Sequence, residues 1–223
     1  MALMARKIDL DLLGVVRGAI ALVIDPSKTE SVYDVEDGLR HRRATMLAVE
    51  FVKQDPGVAQ IFAERYLAEP PDLEQLGQLP EGSLGRVYAD YLRDSGFEAD
   101  FYRSLEVEDD ASYFLLRMRQ THDIWHLVAG FNTDVPGELG LKAFELAQTR
   151  RPLSAVLLSG GVLSAVFKAP ETIGPLLEQI AIGYRLGSTA KPFLAQRWEE
   201  HWERSLDDWR ELLNFQPLSH YQP

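Results

Sequence analysis

The chain of 223 residues contains no cysteine, which excludes a disulfide scaffold, an iron-sulfur cluster, a thiolate zinc site and a cysteine nucleophile together. Any metal it binds must be held by histidine and carboxylate. It is also short of positive charge: 23 lysines and arginines against 34 aspartates and glutamates leave a net charge of -11. That balance repels a phosphate backbone and argues against nucleic acid as a partner. Long hydrophobic runs are missing as well. The most apolar stretch, Leu153 to Phe167, spans 15 residues and is interrupted by Ser154, Ser159, Gly160, Gly161 and Ser164, short of the roughly 18 expected of a membrane span. Met1 to Leu10 has neither the apolar core of a secretory signal nor the Arg- and Ser-rich, acid-free look of a transit peptide. The expected location is therefore the cytoplasm, in a bacterium. With 46% hydrophobic and 26% charged residues, the chain has the composition of a soluble globular protein with a real core.

Alternating apolar and polar runs are absent too, whereas apolar residues recur at spacings of three and four, the helical period. Leu10, Leu13, Val16, Ile20 and Val23 make a first stripe, ended by Asp25-Pro26. Asp55-Pro56 reads as an N-cap with a first-turn proline, opening a helix with Val58, Ile61, Phe62 and Tyr66. Glu69 to Asp72 is a break, and Ser83 caps a helix through Tyr88, Tyr91 and Leu92. The principal helix runs from about Ala111 to Phe131. Further helices are expected with Leu141, Phe144, Glu145 and Gln148, over Pro152 to Lys168, over Thr172 to Leu186, and in one piece from Pro192 to Leu213. No repeat or linker interrupts the series, so 1–223 reads as a single all-α domain, a multi-helix bundle. The small residues of Leu153 to Phe167 suit a buried core helix or the wall of an apolar lipid-binding cavity, lined by Val156, Leu157, Leu163 and Val166.

Two of the five histidines fall in His122-Asp123-Ile124-Trp125-His126. On a helix advancing about 100° per residue, His122, Asp123 and His126 sit at about 0°, 100° and 40°. Two imidazoles and a carboxylate on one face can ligate zinc, manganese or ferrous iron. Glu138 follows after a Pro-Gly turn, near the start of the next helix, where an antiparallel partner can bring it to the metal as fourth ligand. The His-x-x-x-His pair alone is weak; the acids at 123 and 138 give it specificity. A zinc protease would have glutamate at 123, acting as general base on a metal-bound water, and the shorter Asp123 suits ligation better. An adjacent His-Asp pair also marks the HD-type metal phosphohydrolases, for which His41 and Asp207 are the available further ligands.

His-Asp-x-x-His-x(11)-Glu, present as His122, Asp123, His126 and Glu138, resembles the motif of the Coq-four proteins of ubiquinone (coenzyme Q) biosynthesis. So do Leu79-Pro80-Glu81-Gly82-Ser83-Leu84-Gly85 with Tyr88, the run Gly137 to Glu145, and Gly183-Tyr184-Arg185. The resemblance covers about Pro80 to Leu213. It implies an all-α protein that binds a divalent metal, usually zinc, contacts the inner face of the membrane peripherally and organises other quinone-biosynthesis proteins around a polyprenyl quinone precursor. It also implies removal of the ring carboxylate at C1 of a polyprenyl hydroxybenzoate, with hydroxylation at that carbon. In that reading His122, His126 and Glu138 hold the ion, and Asp123 ligates it or accepts a proton. Asp123 and Glu138 are then the catalytic pair, with Arg119 or Lys142 orienting the substrate carboxylate. The alternative is a non-catalytic scaffold that binds the isoprenoid lipid around a structural metal.

Outside that motif, Arg117, Arg119 and Lys142 are cations that either bind an anion or stand on the surface. Trp125 beside the ligands reads as core. Trp198, Trp202 and Trp209 fall within about 40° on one helix, a stripe for the core or for a homodimer or membrane contact. Glu106, Glu108, Asp109 and Asp110 read as a solvated turn before the principal helix.

Overall fold

The computed structural model describes residues 29–96 and 102–216. Among them lie α1 (Thr29–Leu39), α2 (Arg43–Val52), α3 (Pro56–Glu64), α4 (Leu73–Leu76), α5 (Leu84–Ser95), α6 (Asp110–Ala129), α7 (Val135–Thr149), α8 (Pro152–Lys168), α9 (Ile173–Thr189) and α10 (Leu206–Leu212), with 3-10 turns at Pro170–Thr172, Phe193–Ala195 and Trp198–Glu200. No strand occurs among the described residues. The predicted stripe from Leu10 to Val23 lies outside them.

The chain winds around α6. Sixteen of its 20 residues are buried, so it has no solvent face, as a helix at the centre of a bundle must. Its start is fixed chemically rather than by a stop in hydrophobicity. The Asp109 carboxylate accepts the Ser112 backbone N–H at 2.8 Å, while the Ser112 hydroxyl receives the Asp109 N–H at 2.9 Å, a reciprocal capping box. Asp110 pairs with Lys53 and Arg65, and Glu108 with Arg40. The acidic run is thus a turn, as expected, but one that ties α6 to its neighbours.

The Ser112 N–H bond holds the Asp109 carboxyl below its ordinary range against the opposing effect of burial. A carboxylate with a depressed folded-state pKa stabilises the fold above its unfolded value of about 3.9, and that contribution disappears as the pH falls through the folded value. Asp109→Ala is therefore expected to cost about 1 kcal/mol at pH 7, with the gap from the unaltered protein narrowing below pH ~4. Urea titrations at both pH values check this; an equal gap at both would contradict it.

Helices α7, α8 and α9 pack on one another, with α7 meeting α6. α8 returns antiparallel to α7, bringing Ser154 to Glu145 and Gly161 to Leu139. α9 then lies so close to α7 that a Cβ added at Gly183 would sit 1.9 Å from the Gly140 carbonyl oxygen. The core is aromatic where these helices meet the C-terminal segment: Trp125 stands edge-on to Phe144 and Phe193 at 5.9 and 5.4 Å between ring centroids.

That segment corrects the sequence reading. Pro192 to Leu213 is not one helix but two 3-10 turns, a loop and the short α10. Within it Leu84 and Gly85 donate their N–H groups to the carbonyls of Arg204 and Trp202, so the loop satisfies the start of α5 instead of continuing a helix. The three tryptophans share no helical stripe, yet Trp198 and Trp209 are fully buried with rings 4.6 Å apart, and Trp202 lies against Tyr88.

Candidate metal centre

His122 and His126 lie one turn apart on α6, with ring centroids at 4.8 Å. Glu138 reaches them because of how α7 begins. The Asp134 side chain accepts the Gly137 N–H at 2.8 Å, capping the helix, and Gly137 presses on the preceding loop so closely that a Cβ would lie 2.1 Å from the Asn132 carbonyl oxygen. Only glycine allows that approach, and it turns the first turn of α7 over α6. Glu138 Oε1 then lies 3.0 Å from His126 Nε2, and Oε2 lies 3.9 Å from His122 Nε2. One ligand atom from each of the three residues lies within 4.8 Å of the other two.

Both rings are tied at the far nitrogen. His126 Nδ1 lies 2.9 Å from the Phe131 carbonyl oxygen, which can only accept, so the proton sits on Nδ1 and the neutral ring presents its Nε2 lone pair to Glu138. His122 Nδ1 lies 3.3 Å from Glu145 Oε1. His126 Nε2 is buried and makes no hydrogen bond of acceptable geometry, although Glu138 is adjacent. A lone pair facing a carboxylate is an unsatisfied arrangement that a cation between them would satisfy. Two imidazoles and a carboxylate are a donor set for zinc or ferrous iron; the residues fit a divalent ion.

The electrostatics agree. Burial works against charge on Glu138, but when the two rings are protonated the His126 hydrogen bond and the charges of His122 and Lys142 outweigh it and hold the carboxyl down at about 2, so that without an ion the same groups close on a proton instead. Burial and Lys142 oppose protonation of His122, yet Glu145 and Glu138 draw its pKa upward. The site keeps Glu138 ionised throughout the physiological range.

A scan for protein families matches residues 11–219 of the chain to the coenzyme Q (ubiquinone) biosynthesis protein Coq4 family. The chain belongs to that family. It is similar to the ubiquinone biosynthesis protein COQ4 homolog, mitochondrial, of Danio rerio, 28% identical over 90% of this chain and 74% of that one. The mitochondrial ubiquinone biosynthesis protein coq4 of Talaromyces stipitatus is 33% identical over 68% of this chain, which spans about half (53%) of the fungal protein's length. Among solved structures, a Nostoc punctiforme protein assigned to ubiquinone biosynthesis superposes with a TM-score of 0.82 at 39% identity, over 91% of this chain and 97% of that one. Family and all-α fold therefore agree with the sequence reading.

Of the four residues in the predicted motif, three converge and one turns away. Asp123 is buried beside Tyr91 of α5, whose hydroxyl pKa is pushed up by burial and then by the Asp123 charge, and it lies outside the group that can hold an ion; at about 100° from His122 it faces the neighbouring helix instead. Arg119 is occupied: it donates to Glu36 at 2.7 Å and to the Arg103 carbonyl at 2.8 Å. Lys142 donates to Glu145 at 2.7 Å and lies 3.4 Å from His122 Nδ1. Arg117 is fully buried in a bidentate pair with Glu199. None of the three cations stands on the surface. His41 is exposed and Asp207 nearly fully so, and neither joins the group, so the HD-type arrangement is not assembled.

The predicted apolar lining is dispersed. Val156 and Leu157 pack against Val35 and Leu153, whereas Leu163 and Val166 are 50% and 45% exposed. An open groove of about 610 Å³ lies instead between α7, α8 and α9, with Leu146, Leu158, Leu177, Ile180 and Tyr184 in its walls. Among the described residues no helix is long and apolar enough to cross a membrane. The sequence reading also assigned no role to Tyr91, or to Glu145 beyond its place in the family motif. Glu138, Lys142 and Glu145 at i, i+4 and i+7 share one face of α7, a signal present in the sequence.

Proposed function

We propose that this Coq4 protein acts in ubiquinone biosynthesis as a metal-dependent enzyme on a polyprenyl hydroxybenzoate, removing the C1 carboxylate with hydroxylation at the same carbon. The observation that carries the reading is the set of three: among the described residues the group that can hold an ion offers two imidazoles and one carboxylate, without Asp123. A structural site closes with four protein ligands, whereas a catalytic one keeps a position open. Zinc is the expected ion, with manganese or iron the alternatives. When bound, the ion polarises an oxygen of the head group, or supports dioxygen chemistry if it is iron.

The chain's own groups have defined tasks. His122, His126 and Glu138 hold the ion, and Glu138 stays ionised to do so. Breaking the bond from C1 to the carboxylate releases carbon dioxide and leaves an electron pair on the ring, which a proton must meet. In this reading Asp123, buried one residue from the ligand His122, holds that proton. Hydroxylation in addition consumes dioxygen and two reducing equivalents, one oxygen atom entering the ring and the other leaving as water. Of the cations expected to orient the substrate, Lys142 borders the ligand histidine and Arg119 is spent on Glu36, so Lys142 is the better placed. Partner quinone-biosynthesis proteins, a homodimer and peripheral membrane contact belong to the same reading.

The apolar groove between α7, α8 and α9 favours a second reading, a lipid-binding scaffold without turnover. Each buried tail methylene contributes about 0.8 kcal/mol, so affinity rises with prenyl length wherever the tail is taken up; flat binding across a tail series counts against both readings. To separate them, metal-loaded protein is given a prenylated hydroxybenzoate, oxygen and a reductant, and carbon dioxide is followed. Turnover lost in Asp123→Asn and Glu138→Gln, both folded, supports the enzyme. If the unaltered protein and both variants are equally inert with zinc, manganese and iron yet bind the lipid, the scaffold reading holds.

A further inference from the structure

Glu145 is 1% exposed. Its Oε1 receives Lys142 Nζ at 2.7 Å and lies 3.3 Å from His122 Nδ1; its Oε2 accepts the Ser154 hydroxyl at 2.9 Å, with the Arg151 guanidinium 3.7 Å away. A buried carboxylate costs several kcal/mol unless paired and hydrogen-bonded, and Lys142 with Ser154 already supplies that. The contact to His122 is therefore not needed to satisfy Glu145. It matters to the histidine. An ionised carboxylate only accepts, so the neutral imidazole facing it carries its proton on Nδ1 and leaves the Nε2 lone pair toward Glu138. Lys142 Nζ, a donor 3.4 Å from the same Nδ1, would favour the opposite tautomer. Its shorter bond goes to Glu145, which thereby both disarms the lysine and claims the Nδ1 proton.

We infer that Glu145 is a positioning residue of the metal centre: its carboxylate fixes the tautomer and ring orientation of His122, doing for that ring what the Phe131 carbonyl does for His126. Carboxylates behind metal-bound histidines have this effect generally, and removing one typically costs about 10- to 100-fold in metal affinity. The inference rests on the metal reading above, deepens it, and explains why a lysine and a glutamate are buried together behind a ligand.

The test uses the full chain, Glu145→Gln, and the double variant Lys142→Met/Glu145→Met, which leaves no unpaired charge in the core if the single change fails to fold. Zinc affinity is measured by competition with a chromophoric chelator. The imidazole tautomers of the metal-free proteins are read from nitrogen-15 NMR at a pH where the rings are neutral. The expected result is zinc binding weakened about 10- to 100-fold, with His122 moving from the Nδ1–H form to a mixture and His126 unchanged. A purely structural role would lower the urea midpoint and leave both readouts alone. If the unaltered protein binds zinc and the folded variants bind as tightly with the same tautomers, the positioning role is overturned and the metal reading survives. If the unaltered protein binds no zinc, the metal reading falls, and this inference with it.

Discussion

His126→Ala and Glu138→Gln bind divalent metal at least a hundredfold more weakly than the unaltered chain, a loss at or beyond the upper end of the roughly 10- to 100-fold expected from an outer-shell partner. The reason lies in how little redundancy the site has. Among the described residues three donors come from two helices, so either change leaves two of that group. His126 is buried to 2%, and an alanine there opens a gap in the packed interior instead of a position for another side chain. Glu138→Gln removes the only carboxylate of the set while keeping the shape of the side chain. Asp123→Asn is the informative contrast. The sequence motif leaves it either a ligand, whose loss would weaken binding as much as the others do, or a proton acceptor; its place outside the group of three favours the second, whose loss leaves affinity in place while turnover falls. Zinc competition titrations across the three variants distinguish these. Unchanged affinity in His126→Ala would contradict the site.

The second large effect is on stability. Gly183→Val destabilises the fold by about 3 kcal/mol or more, at the top of the range for inserting atoms into a filled interior. The added Cβ would fall 1.9 Å from the Gly140 carbonyl oxygen and 2.8 Å from its carbon, and backbone on a packed helix cannot move aside as a flexible side chain can. Even Gly183→Ala, which gains about 1 kcal/mol of helix propensity, is expected to come out destabilising. Gly174, on the same helix, has nothing within 4 Å of an added Cβ; there Gly174→Ala is expected to be neutral or to stabilise by up to about 1 kcal/mol. Urea midpoints for the pair isolate the close approach from propensity, and similar effects at both positions would refute it.

That contact shows where the sequence was informative and where it was not. Gly183 belongs to a motif visible in the sequence, but its reason, the parallel approach of α9 to α7, is tertiary. Local chemistry was legible: the Asp55-Pro56 start, the Ser83 cap and the span Pro152–Lys168 all follow from side chains satisfying helix ends. The C-terminal segment was not, because its apolar residues recur at helical spacing while its backbone groups are spent on α5. α1 and α2 were passed over for a related reason. In α1 Val35 is the one apolar residue with no exposure among the described residues, so its periodic signal is weak, whereas α2 buries Thr45, Ala48, Val49 and Val52 at helical spacing but has no side-chain cap to mark its start.

At the site, helical spacing brings His122 and His126 together from sequence alone, and Glu138 follows once the Pro-Gly turn is recognised. Asp123 could not be placed that way. At about 100° from His122 it borders both the metal face and α5, and Tyr91 decides between them. Of the two roles open in the sequence for Arg119 and Lys142, anion binding or a surface position, the second is excluded only by packing, which sets them on the buried Glu36 and Glu145.

The most direct test is an anomalous difference map from crystals of the zinc-loaded protein, recorded on either side of the zinc absorption edge. One peak per chain is expected, bounded by His122 Nε2, His126 Nε2 and the Glu138 carboxylate, with Asp123 outside it. A fully loaded crystal with its peak elsewhere, or with none between these three side chains, would contradict it.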